Sequence, residues 1–101
     1  MAPRPWSGRA AELHRLEGTA LVGLNWLDEG QRALEAALRA ARRQQARAYE
    51  LRAATSLARL WGEQGRREEA RDLLAPVYGW LTEGFDTADL KDAKALLDEL
   101  R

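Results

Sequence analysis

The sequence predicts an all-α protein of about five helices in antiparallel hairpins, and three observations carry that prediction. Alanine, leucine, arginine and glutamate dominate the 101 residues, while isoleucine is absent and valine occurs only at Val22 and Val77. That mix favours helix and starves a sheet of the β-branched residues it packs best. Apolar residues recur at three- and four-residue intervals, the period of one helical face, in five separate stretches. The stretches also pair: sliding the chain against itself by 40 residues puts Gly18 on Ala58, Leu21 on Trp61, Gly30 on Ala70, Leu34 on Leu74 and Ala37 on Val77.

Residues 1–8, with Pro3 and Pro5, read as a flexible leader. From Arg9 the apolar positions Leu13, Leu16, Ala20, Leu21 and Leu24 lie on one helical face. Residues 25–28 break the pattern, and Asp28 is a candidate cap for a second helix with the stripe Leu34, Ala37, Leu38 and Ala41. A third stripe runs Leu51, Ala54, Leu57, Ala58 and Trp61, and the glycines at 62 and 65 end it. The fourth carries Ala70, Leu73, Leu74, Val77, Tyr78 and Leu81, with a kink or a lost hydrogen bond expected at Pro76. After residues 82–85, Asp86 or Thr87 is placed to cap a fifth helix with Leu90, Ala93, Leu96, Leu97 and Leu100 on its face.

At the 40-residue shift small residues meet small and large meet large. Crossing helices require this, because small side chains set the approach and larger ones fill the space beside it. Within the second unit Leu57-Ala58, Trp61, Ala70 and Leu74 have the spacing of a tetratricopeptide repeat. The period of 40 exceeds the usual value of about 34. The excess falls around residues 42–50, so the second helix should be long. The expected organisation is one domain over 9–101, with units at about 9–46 and 47–82 and a closing helix at about 87–100, arranged as a tetratricopeptide-like right-handed array. Trp61 is expected at the closest approach within the second pair, largely buried among Leu57, Leu74 and the fifth helix.

Residues 46–61 (ARAYELRAATSLARLW), 65–80 (GRREEARDLLAPVYGW) and 82–100 (TEGFDTADLKDAKALLDEL) make the likeness more specific, together with residues 12–18 (ELHRLEG). They resemble the C-terminal tetratricopeptide-like tail of bacterial signalling and transcription-regulator proteins, in which a cyclase-like or DNA-binding domain is followed by an ATPase module and helical repeats. The resemblance covers about residues 12–100 and is strongest after Ala46. Residues 24–31 depart from it: the family usually has Ala where Gly30 stands and a bulky aromatic where Leu34 stands. Gln45 stands where the family often has Gly, the residue best suited to a left-handed cap, which leaves open whether the second and third helices run on as one. The chain has no Gly-x-x-x-x-Gly-Lys-Ser/Thr phosphate loop and no acidic pair of the cyclase kind, so the family's catalysis does not carry over.

Composition narrows the function classes. With 16 Lys+Arg against 16 Asp+Glu and a pI near 6.6, the usual electrostatic warrant for binding nucleic acid or a membrane surface is missing. No apolar run reaches the roughly 18 residues a membrane helix needs. Neither a signal-like stretch nor any cysteine is present, and a cytoplasmic location is the default expectation. His14, the one histidine, has no cysteine or second histidine to complete a metal set. Glu68, Glu69, Asp86, Asp89 and Asp92 read as first-turn carboxylates that complement helix dipoles. The run Arg39, Arg42, Arg43, Arg47 and Arg52 belongs to a basic half: residues 1–59 carry 10 basic and 6 acidic groups, residues 60–101 the reverse. Opposite halves favour a charge match within or between chains.

The expected function is a non-enzymatic protein-interaction or scaffold module, without cofactor or metal; the alternative is a regulatory C-terminal fragment of a larger bacterial ATPase or cyclase-like signalling protein. In stacked helix pairs the first helix of each pair lines one side, and this predicts a protein or peptide groove at Glu12, Arg15, Thr19, Arg52, Thr55 and Arg59. Its arginines are suited to fork onto a carboxylate. Leu13, Leu16, Leu24, Trp26 and Leu27 offer more apolar surface than one neighbouring helix hides, so a homodimer is expected through them.

Overall fold

A computed structural model describes residues 9–81 and 88–101. They form five helices, α1 (Arg9–Gly23), α2 (Leu27–Arg43), α3 (Arg47–Glu63), α4 (Arg67–Leu81) and α5 (Ala88–Glu99), and contain no strand. The all-α class and the helix count agree with the apolar spacing. The leader at 1–8 and the cap expected at Asp86 or Thr87 lie outside the described residues.

Three of the joints share one geometry at 20-residue intervals. Asn25, Gln45 and Gly65 have φ of 66°, 54° and 81°, the left-handed region. Each amide reaches a carbonyl three residues back, and the next amide reaches five back: Trp26 to Leu21 at 2.9 Å, Ala46 to Ala41 at 2.9 Å and Arg66 to Trp61 at 2.8 Å. This is a Schellman motif, which satisfies the last carbonyls of a helix. The second and third helices are therefore separate, and Gln45 itself takes the conformation that glycine adopts more easily. The residue after each left-handed position opens the next helix, its carbonyl accepting from Gly30, Glu50 and Ala70 in turn. Asp28 is consequently not the cap expected of it. Trp26 holds the N-cap position without a side-chain bond, and Asp28 sits in the first turn, where its charge complements the dipole.

The extra length of the repeat is shared: α2 and α3 each span 17 residues. α4 continues through Pro76, which faces solvent, so the missing amide leaves no polar group stranded in the core.

The helices stack in two layers. α1 touches α3 and α3 touches α5, forming one layer, while α2 packs on α1 and α3, and α4 packs on α3 and α5. α2 and α4 do not meet. The thinnest dimension, 19 Å, is about two helix diameters. Leu34, Leu57, Leu74 and Val77 are the largest fully buried side chains. One apolar core runs from Leu34 to Leu100. Trp61 packs against that core but is only partly buried, not largely buried as the repeat spacing predicts; Arg66 lies over its ring at 4.6 Å from the centroid.

Candidate functional site

The layer of α1, α3 and α5 brings the predicted groove residues onto one face, and the structure divides their roles. Thr19 and Thr55 turn their hydroxyls back onto their own helices, donating to the carbonyls of Arg15 at 2.9 Å and Leu51 at 2.8 Å. Thr55 is buried, so its hydroxyl is spent within α3. Glu12 binds the Arg15 guanidinium on its own helix. Across the layer Arg52 Nη1 donates to Glu12 at 2.7 Å and Arg52 Nε donates to Asp89 at 2.9 Å. One arginine thus ties α1, α3 and α5 together, and its guanidinium also lies 5.3 Å from the Tyr49 ring centroid.

These contacts leave their mark on titration. Burial raises the Glu12 carboxyl, but hydrogen bonds from Arg15 and Arg52, with their charges, outweigh it and hold the group below its ordinary 4.5. The Arg52 guanidinium is pushed further above the ordinary arginine range, chiefly by the hydrogen bond to Asp89.

Arg59 behaves differently. Among the described residues it is in no ion pair, and it is exposed. It stands at the meeting point of three shallow recesses. One, of about 220 Å³, lies between Arg15, Arg52, Thr55, Asp89 and Asp92. The second, about 90 Å³, is lined by Thr19, Val22 and Leu34, and the third, about 270 Å³, runs towards Leu96 and Leu100. Asp92 is likewise exposed and outside every ion pair among the described residues. Glu63, which lines the second and third recesses, and Arg67 and Glu99, which line the third, are also exposed and outside every ion pair among the described residues. The first recess is lined by a single free cation and a single free anion, Arg59 and Asp92, and not by the three free arginines that the sequence suggested.

Asp89 lies in the first turn of α5, as its place in the sequence predicts, but its bond to Arg52 across the layer goes beyond that reading. A signal existed, for Glu12, Arg52 and Asp92 stand 40 residues apart and alternate in sign. The bridging carboxylate proves to be Asp89, one helical turn before that register.

Four of the five residues of the second predicted surface face solvent. Leu13, Leu16, Leu24 and Trp26 are exposed at 58%, 52%, 64% and 57%. Leu27 is the exception: it lies in the first turn of α2, half-buried against the core. Leu21 and Trp26 line an open apolar groove of about 570 Å³ between α1 and α2, with His14 on its rim.

Among the described residues no three His, Cys, Asp or Glu converge on a point, and no helix is long and apolar enough to cross a membrane. No protein-family model, curated protein or solved structure matches the chain.

Proposed function

We propose that the protein is a non-enzymatic protein-interaction module of tetratricopeptide-like type whose α1/α3/α5 face receives a segment of a partner protein. One observation carries the reading: Arg59 and Asp92, in no ion pair among the described residues, line the same recess, while the neighbouring charges of Glu12, Arg15, Arg52 and Asp89 are already paired into a frame. Pairing within the frame means that its side chains are ordered before a ligand arrives, which lowers the entropic cost of binding. The segment that suits this face carries a carboxylate for Arg59 and, close by, a cation for Asp92, with an apolar residue for the floor at Val22 and Leu34.

The layering supports the repeat reading, because first helices of successive pairs line one side and second helices the other, as in stacked helical hairpins. Selection of random short peptides on the immobilised protein tests the proposal. Binders should pair Asp or Glu with a nearby Lys or Arg, and their addition should shift the backbone amides around Thr55, Arg59 and Asp92. Peptides of no charge preference, or shifts confined to other helices, would overturn it.

A further inference from the structure

Away from the inner face, α1 leaves a second surface unused. α3 carries the stripe Glu50, Ala53, Leu57 and Leu60, all buried. The hydrogen bond from Arg42 to Glu50, 3.2 Å, marks this as the side turned to α2. Forty residues earlier α1 has Ala10, Leu13, Glu17 and Ala20 at the matching positions, and all four are exposed. On α3 the stripe is covered by an antiparallel helix, so the open side of α1 is shaped for one as well.

We propose that this side of α1 pairs with α1 of a second copy about a two-fold axis at Leu13, a contact independent of the inner face. A two-fold axis across a helix makes the two copies antiparallel, the relation that α2 has to α3. Among the described residues the exposed large hydrophobics are Leu13, Leu16, Leu24 and Trp26 at this end, and Trp80 alone on α4. At the other end α5 turns Lys91, Asp92, Lys94, Asp98 and Glu99 to solvent. Most of the exposed large apolar side chains among the described residues thus sit at this end, which suits it to a second copy of itself.

Charge fixes the register. Arg9 and Glu17 are in no ion pair among the described residues, and each stands four residues from Leu13 on the same side of the helix. With Leu13 on the axis, Arg9 of each copy meets Glu17 of the other, and Leu16 of each lies over Ala10 of the other. The overlap, residues 9–17, is about 13 Å long. That is short of a standard interface, so association is weak and depends on concentration.

Sedimentation equilibrium from micromolar to near-millimolar protein reads the association directly. The mass should rise from 11.4 kDa towards twice that value. Arg9→Glu and Glu17→Arg should each weaken the dimer about tenfold, since each turns two attractions into two repulsions. The double variant should restore it, and because the two positions are two turns apart on one helix the rescue can only be intermolecular. The chain has no cysteine, so Leu13→Cys should form a disulfide-linked dimer under mild oxidation while Asp98→Cys should not. A concentration-independent monomer, a dimer without charge-swap rescue, or cross-linking favoured at position 98 would each overturn the proposal.

Discussion

Gly18 and Gly30 cross with each backbone standing where the other's side chain would begin. A Cβ on Gly18 would lie 3.0 Å from the Gly30 carbonyl oxygen and 2.7 Å from Leu34 Cγ; one on Gly30 would lie 3.2 Å from the Gly18 carbonyl oxygen and 2.6 Å from Val22 Cγ2. This contact sets how closely α1 and α2 approach, and it places Val22 beneath the inner face.

The crossing reverses an ordinary preference. Alanine normally exceeds glycine in a helix interior by about 1 kcal/mol, but here the added methyl must displace backbone and the core residue Leu34. Gly18→Ala and Gly30→Ala should each cost about 1–3 kcal/mol. Gly79→Ala, where the new carbon meets nothing within 4 Å, should instead stabilise by about 0.5–1 kcal/mol. Urea unfolding of the three variants checks the contrast.

Gln45 holds φ at 54° against the preference of any residue with a Cβ. Gln45→Gly should raise stability by up to about 1 kcal/mol with unchanged helicity. A loss of helicity by circular dichroism would mean that α2 and α3 run on as one helix.

Trp61 is partly buried, and its Nε1 is sealed from solvent without an acceptor. Trp61→Ala should cost about 2–3 kcal/mol, below the about 3–5 kcal/mol of a fully buried tryptophan. Trp61→Phe, which keeps a ring and removes the orphan donor, should cost less than half as much. Thermal melts of the two variants decide it.

The folded carboxyl of Glu12 lies below its ordinary 4.5, so its contribution is present above that value and is lost as pH falls through the lower folded value. Stability should decline on acidification below about pH 4.5, and Glu12→Gln should flatten that part of the profile. Urea midpoints at neutral pH and at about pH 3 measure the difference.

Much of the fold was legible because helical period and residue size are local. The five stripes located the helices, and the pairing of Gly18 with Ala58 and of Gly30 with Ala70 marked the close crossings. What escaped notice depends on how helices sit together. The left-handed turn at Gln45 has no glycine to announce it; packing of α2 on α3 outweighs a local cost of about 1–2 kcal/mol. Leu27 shares the polarity of Leu24, yet the turn that exposes Leu24 points Leu27 inward. Glu12, Arg15, Thr19, Arg52, Thr55 and Arg59 share one face, but periodicity could not say that Arg52 is held from both sides, since Asp89 reaches it only through the placement of α5 against α3.

The central claim, that Arg59 beside Asp92 makes the inner face a binding surface, is tested most directly by titrating a selected charged peptide against the parent protein and Arg59→Glu. Arg59 is in no ion pair among the described residues, so the variant should melt with the parent while binding the peptide at least about tenfold more weakly, a difference of about 1.4 kcal/mol. Unchanged affinity at Arg59→Glu, with the fold intact, would contradict the account.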